Sequence, residues 1–267
     1  MRLTSWNLLH AMPIPPSPTA NGSALLGRAI MDLDSDVIGL QEVDYYLERS
    51  GAENQVERVA KLLGAKSWAF APSVLGSPDA KWRKLSRDDA AIITSVDQPR
   101  TPSYGIGLVS KIPVVSWHRL EFKAAPVGMP MVIPENGKMK LFYMRDHPRS
   151  AIAAVLENGW LVINTHLSFV PIYSFVQLLA IKRWVKRLPV QDKAKIVVMG
   201  DLNIPVSLFV RGIAWNSLAK QKGYPSWQPK IQLDYLLSQK VASEDVVYVE
   251  TARSGISDHL PLSVDID

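Results

Sequence analysis

Carboxylate, amide and imidazole side chains recur in five short clusters: Trp6-Asn7, Gln41-Glu42, Asn164-Thr165-His166, Gly200-Asp201-Leu202-Asn203 and Ser257-Asp258-His259. These are oxygen and nitrogen donors, and the chain has no cysteine to add a soft ligand. Such a set suits Mg²⁺ or Mn²⁺. A hard cation, an oriented water and an imidazole together could neutralise and attack a phosphoryl group. A thiolate nucleophile and a disulfide framework are excluded outright.

Donors do chemistry only when held rigidly, and the flanking residues supply the platforms. Val37-Ile38-Gly39-Leu40 precedes Gln41, Trp160-Leu161-Val162-Ile163 precedes Asn164, and Ile196-Val197-Val198-Met199 precedes Gly200. Short apolar runs bounded by turn residues read as buried strands. Further strands are predicted at 2–8, 91–94, 105–110, 113–122, 150–157, 231–237, 244–250 and 260–266. Asn158-Gly159 forms a hairpin signal between two of the strands. Apolar spacing predicts a helix from Ser23 through Leu33, another over 52–63 stopped by Gly64, a third over 173–188 and a fourth over 212–221. Four prolines between Pro13 and Pro18 break the chain there. Residues 73–103, rich in proline and polar residues, read mostly as loops around the short strand at 91–94, and 125–148 as another irregular stretch. About ten strands and four helices, with no long linker, imply one α/β domain over 1–267, with stacked sheets and outer helices.

A chain of 267 residues can bury a core large enough to need no staple. No apolar segment approaches the ~20 residues of a membrane span. Arg2 and the short mixed stretch after it do not read as a signal peptide, and a cytoplasmic monomer is expected. Lys and Arg total 30 against 25 Asp and Glu, a net charge of +5. That fits a polyanionic partner, and equally an ordinary solvated surface.

Seven stretches in order resemble the endonuclease/exonuclease/phosphatase, or DNase-I-like, superfamily. They are Thr4-Ser5-Trp6-Asn7, Leu40-Gln41-Glu42-Val43, Gly107 through Pro113, Asn164-Thr165-His166-Leu167, Gly200-Asp201-Leu202-Asn203, Leu233-Asp234-Tyr235 and Ser257-Asp258-His259-Leu260-Pro261. The resemblance implies a four-layered α/β sandwich of two packed, mostly antiparallel sheets flanked by helices. It also implies a metal-dependent phosphoester hydrolase using Mg²⁺ or Mn²⁺. The Thr-His-Leu form is unlike the family's apurinic-site nucleases. Ile204-Pro205 after Gly-Asp-x-Asn counts against the inositol-polyphosphate phosphatases. Secreted DNases pair their first histidine with a Glu; that position aligns near Ala71-Pro72, a departure from a two-histidine acid–base scheme.

On this resemblance Asn7, Glu42 and Asp258 are the expected metal-site residues, and His166, Asp201, Asn203, Asp234 and His259 the catalytic ones. Asp201 and Asn203 are two apart and share a side of an extended segment, although Gly-Asp-x-Asn is also good turn chemistry. Asp234 would fix the tautomer and charge of His259. His166 would donate to a phosphate oxygen, or be structural. Arg49 and Arg149 are candidate phosphate contacts or surface charges, while His10, Tyr104, Trp215 and Trp227 could touch a ligand or simply pack. The expected substrate is DNA or RNA, with a phosphorylated metabolite or lipid headgroup as the alternative. A non-catalytic binding protein would have no need of so complete a ligand set.

Overall fold

Strand β1 (Arg2–Asn7) shows why this sequence forms layers. Leu3 faces one apolar cluster and Trp6 another, so both surfaces of the strand are buried. The computed structural model, which describes residues 1–17, 19–135, 138–189, 195–205, 215–241 and 243–267, repeats this in most central strands. The result is a sandwich whose sheets share one apolar interior and cover their outer faces with helices.

The first sheet runs β14 (Val246–Val249), β15 (Leu262–Ile266), β1, β2 (Val37–Tyr45), β5 (Ser103–Ser110), β3 (Ser67–Gly76) and β4 (Trp82–Arg83). The second runs β12 (Asn216–Ser217), β13 (Asp234–Ser238), β11 (Ile196–Asp201), β10 (Leu161–His166), β9 (Arg149–Leu156) and β6 (Val114–Phe122). Each sheet has a single parallel pair, β1 with β2 and β10 with β11; every other pairing within the two sheets is antiparallel. Leu3, Val37, Ile106, Leu108, Val162, Val197, Leu236 and Val264 fill the space between the sheets. Each aliphatic side chain buried there contributes about 1.5–3 kcal/mol.

Helices α1 (Gly22–Leu33) and α2 (Gln55–Leu63) lay Leu26, Ile30, Val56 and Val59 on the first sheet. The side chains of Asn21 and Asn54 cap their N-termini, and Gly64, at φ +63°, ends α2 as its position predicts. Helix α3 (Pro171–Val185) packs Leu178 and Ile181 on the second sheet. Among the described residues no helix is long and apolar enough to cross a membrane.

Three expectations are corrected. Residues 125–148 carry a two-stranded ribbon, β7 (Met129–Glu135) with β8 (Lys138–Met144), instead of loop. Pro130 and Pro134 are four apart, so their missing N–H groups face one side, which a ribbon can leave unpaired. Within 73–103, which is mostly loop as expected, residues 73–76 complete β3 and the short strand expected at 91–94 is reduced to an isolated bridge between Ile93 and Phe70. In place of a helix over 212–221, Asn216–Ser217 pairs with β13; residues 212–214 lie outside those described. The strands therefore number fifteen and the α-helices three among the described residues.

Candidate active site

The two parallel pairs decide where the polar clusters meet. Asn7, at the end of β1, is level with Gln41, where the parallel pairing stops and β2, expected to end at 41, continues through a bulge to Tyr45; His166 is level with Asp201 at the ends of β10 and β11. Stacking the sheets brings these four residues together. Gly200 makes the second pair possible: a Cβ there would lie 1.9 Å from the Thr165 carbonyl oxygen. In the first sheet the register shifts between Leu40 and Val43, and Glu42 takes φ +53°. Such a bulge re-aims a side chain, here at a cost of the order of 1–3 kcal/mol.

The closest contacts cross from sheet to sheet. Asn7 Nδ2 donates to Glu42 Oε1 at 3.1 Å and, across the seam, to Asp201 Oδ2 at 3.0 Å. His166 Nε2 lies 3.5 Å from Asp201 Oδ2 and 3.9 Å from Glu42 Oε1. His259 Nδ1 bonds Asp234 Oδ2 at 2.7 Å, and its Nε2 lies 3.8 Å from Asp201 Oδ2. Ser257, at φ +61°, anchors this corner: its Oγ donates to the Asn7 carbonyl at 2.6 Å and accepts from the His259 N–H at 3.0 Å.

One residue behind the site, a polar clasp joins the sheets. Gln41 Nε2 donates to Asn164 Oδ1 at 2.6 Å, and Asn164 Nδ2 donates to the carbonyls of Leu40 and Gly107 at 2.9 and 2.7 Å. Both side chains are fully buried. Gly39 makes room, since a Cβ there would stand 2.8 Å from the Asn164 side chain.

Burial and neighbouring charge set the protonation states. Glu42 is pushed up to about 7, first by burial and then by the Asp258 carboxylate. Burial also raises Asp258, with Asp201 adding to it. Asp201 is raised to about 6 by burial, with Asp234 working the same way. Burial lowers His259, yet Asp234, Asp201 and Asp258 outweigh it and bring the imidazole to about 10. His166 goes the other way, well below 6.5, through burial and then Arg149. The two histidines are thus differentiated: His259 is an imidazolium and His166 a neutral ring.

Asn7, Glu42, His166, Asp201, Asn203, Asp234, Asp258 and His259 therefore converge. The extended-segment reading of Asp201 and Asn203 is corrected. Asn203 has φ +52° and gives its N–H to Asp201 Oδ1 at 2.9 Å, an Asx turn, while its Nδ2 donates to the Leu167 carbonyl at 3.0 Å. Arg149 stands at the rim, 5% exposed. Its Nη2 is 3.5 Å from Asp146 Oδ1, its guanidinium lies 5.8 Å from the Phe169 ring, and its Nε and Nη1 have no partner among the described residues. Arg49 is held away by Asp44 through two 2.8 Å bonds and by Asp79 through a 2.5 Å bond. Tyr104 is buried edge-on to His147, and Trp215 is core. His10 gives its carbonyl to Gln55 Nε2. Trp227 is 48% exposed beside Ser226, whose N–H and Oγ bond the Asp258 and Ser257 carbonyls. Asp146 and Ser257 were not singled out in the sequence: Asp146 lies in a stretch read as loop, and Ser257 was visible only as the first member of Ser-Asp-His.

Among the described residues, the ligand atoms of Asp201, Asp234 and His259 lie within 4.8 Å of one another, close enough for a cation. Asp234 and His259 are already bonded to each other, however, which leaves these atoms less free to hold one. Glu42 and Asp258 are two desolvated carboxylates that raise each other's cost of ionisation, with Asn7 alongside. Their oxygen donors fit a hard divalent ion.

A two-sheet sandwich with a buried acid–imidazole seam at one end defines the DNase-I-like class of phosphoester hydrolase folds. The chain belongs to the Endonuclease/Exonuclease/phosphatase family, whose pattern matches residues 4–259, and it is a hydrolase. The same fold occurs in ANGEL2, a 2′,3′-cyclic phosphatase, at 15% identity and TM-score 0.59, over 98% of this chain and 93% of that one. It occurs in a 3′-5′ exonuclease from Neisseria meningitidis at 13% and 0.51, over the whole of both chains. A Staphylococcus aureus beta toxin variant with bound magnesium ions matches at 14% and 0.53, over 100% and 99%. No curated protein is similar enough to match the chain.

Proposed function

We propose that this chain is a Mg²⁺- or Mn²⁺-dependent phosphodiesterase that cleaves DNA or RNA by attack of water. The observation that carries the reading is Arg149, a buried guanidinium with two unspent donors whose charge acts on both Glu42 and His166. A rigid fork of unpaired N–H groups suits phosphoryl oxygens. Glu42, Asp258 and Asn7 would hold the cation, which when bound supplies positive charge against the phosphoryl oxygens. A relative of the same fold holds magnesium, which favours that ion.

The side chains divide the remaining work. Asp201, fixed by Asn7 Nδ2 and the Asn203 N–H, takes a proton from the attacking water. His259, charged and steadied by Asp234, donates from Nε2 to a phosphoryl oxygen as negative charge develops. His166, neutral, gives its remaining N–H to the phosphate. Asn203 keeps Asp201 in place through the turn. The bond from phosphorus to the leaving oxygen then breaks, its electron pair stays on that oxygen, and a proton from solvent neutralises it while Asp201 returns its own proton to solvent.

Three features favour a nucleic acid over a compact metabolite: a net charge of +5, the half-exposed Trp227 at the rim, and a same-fold exonuclease. Aromatic rings at such a rim stack bases. The test is a panel in Mg²⁺: plasmid DNA, single-stranded DNA, RNA, nitrophenyl mono- and diesters, and sphingomyelin. Cleavage of DNA or RNA, with binding that weakens steeply in salt, is expected. Turnover confined to the monoester or to sphingomyelin would overturn the nucleic-acid reading and favour a metabolite or lipid headgroup.

A further inference from the structure

Arg149 has a second face. Its charge acts on Glu42 and His166, and its side chain also lines a groove of about 640 Å³ on the flank where β3 and β4 of the first sheet meet β6 and β9 of the second. The flank is stitched by Ser73 to Ser150, hydroxyl to hydroxyl at 3.2 Å, and by Arg119 Nη2 donating to the Pro72 carbonyl at 2.5 Å. Its rigidity therefore comes from both sheets.

The charges of the groove are unbalanced. Arg119 Nε and Glu121 pair at 3.4 Å, which cancels one cation. Lys84 and Lys123 are exposed and form no ion pair among the described residues, and Arg149 meets a carboxylate through Nη2 alone. Phe122, Pro126 and Pro148 supply an apolar wall between these cations. Cations spaced along an apolar wall, opening onto a phosphate-binding arginine, match a chain of phosphates joined by sugars and bases.

We infer that this groove is the track for the substrate strand: Arg149 holds the phosphate at the scissile position, and Lys84 and Lys123 hold the phosphates beyond it. The inference rests on the nucleic-acid reading above and gives the substrate its form, a single strand that extends past the cleaved bond along one flank. Among the described residues neither Lys84 nor Lys123 makes a side-chain hydrogen bond or ion pair to Glu42, His166, Asp201 or His259, so they set strand affinity and leave the chemistry alone.

The experiment compares wild type with the double variant Lys84→Glu, Lys123→Glu, checked for folding by its thermal melt. Binding of a fluorescein-labelled ten-residue oligothymidylate is measured against salt in chelator, and hydrolysis of bis(p-nitrophenyl) phosphate in Mg²⁺. Losing two single-strand phosphate contacts should lower the salt slope by about 1.4 and raise Kd at low salt roughly tenfold or more. Hydrolysis of the small diester should stay within about twofold, because the groove is not in the reacting set. An unchanged Kd and slope in a folded variant would overturn the track while leaving a nuclease intact. A wild type that turns over the small diester but neither binds nor cleaves the oligonucleotide would overturn the nucleic-acid reading and the track together. A variant that loses the small diester as well would show that the lysines act on the site itself, and would also overturn the inference.

Discussion

Replacing Asn164 with alanine removes the clasp that sets the distance between the sheets, and its effect can be worked out from three bonds. Asn164 accepts from Gln41 Nε2 at 2.6 Å and donates to the Leu40 and Gly107 carbonyls at 2.9 and 2.7 Å. The site is wholly buried, so bulk water does not reach the lost partners. Gln41 Nε2 keeps its longer contacts with Ser5 Oγ and the Gly39 carbonyl, both at 3.2 Å. Counting about 1 kcal/mol for each of the three bonds gives a loss of roughly 3 kcal/mol. Urea unfolding measures it from the midpoint and slope. Asn164→Asp should cost more, because a carboxylate would face two carbonyl oxygens with nothing to donate. Turnover should also fall at temperatures where the variant is fully folded. His166 is two residues on and Glu42 is next to Gln41, and a displacement of about 1 Å in a reacting set can cost a hundredfold. A stability loss below about 1 kcal/mol for Asn164→Ala would refute this reasoning, since the clasp would then hold nothing that its surroundings do not.

Metal removal and the acid–imidazole pair give three further tests. EDTA should abolish phosphodiester hydrolysis and Mg²⁺ or Mn²⁺ should restore it, and Glu42→Gln should need more Mg²⁺ for half-maximal rate; full activity in excess chelator would contradict the site assigned to Glu42. Asp234→Asn should lower turnover nearly as much as His259→Ala, with a double variant far from additive, because the 2.7 Å pair acts as a unit. In metal-free protein, the carboxylates of Asp234, Asp201 and Asp258 overcome burial and push the folded His259 up to about 10 from an ordinary 6.5. A raised imidazole contributes stability that is complete below the unfolded value and lost as pH rises through the folded one. The gap in unfolding free energy between wild type and His259→Gln should therefore be widest near or below pH 6.5 and close toward pH 10; a gap that widens on that path would contradict the pairing.

Strand ends were the most legible feature of the chain. The runs before Gln41, Asn164 and Gly200 are strands because both of their surfaces are apolar; Asp201 and His166 do end theirs, whereas Gln41 and Glu42 lie at a bulge inside a strand that continues to Tyr45, which no local signal announced. Pairing itself was not legible: Arg2 lies opposite Asp265, and nothing local in either segment announces it. Gln41 and Asn164 looked like members of the site because they adjoin it, yet they serve behind it as the clasp. Asp201 and Asn203 were read as extended because they follow a strand. The left-handed turn at Asn203 depends on the Asp201 side chain catching the next N–H but one, which is turn chemistry carried by the same letters. Pro130 and Pro134 point to a loop but lie in a ribbon, where the missing N–H groups cost little. The two arginines could be told apart only through distant partners. Asp79 is thirty residues from Arg49 and takes one of its nitrogens, while Arg149 keeps two nitrogens unspent.

The claim at the centre is that Asp201, held across the seam by Asn7, is the base that activates water for phosphodiester hydrolysis. Its most direct measurement is the rate of bis(p-nitrophenyl) phosphate hydrolysis by Asp201→Asn in saturating Mg²⁺, with folding confirmed by an unchanged circular dichroism spectrum. The amide keeps the shape but cannot accept the proton, so turnover should fall between about a hundredfold and ten-thousandfold. A folded Asp201→Asn enzyme that works within about tenfold of wild type would contradict the account.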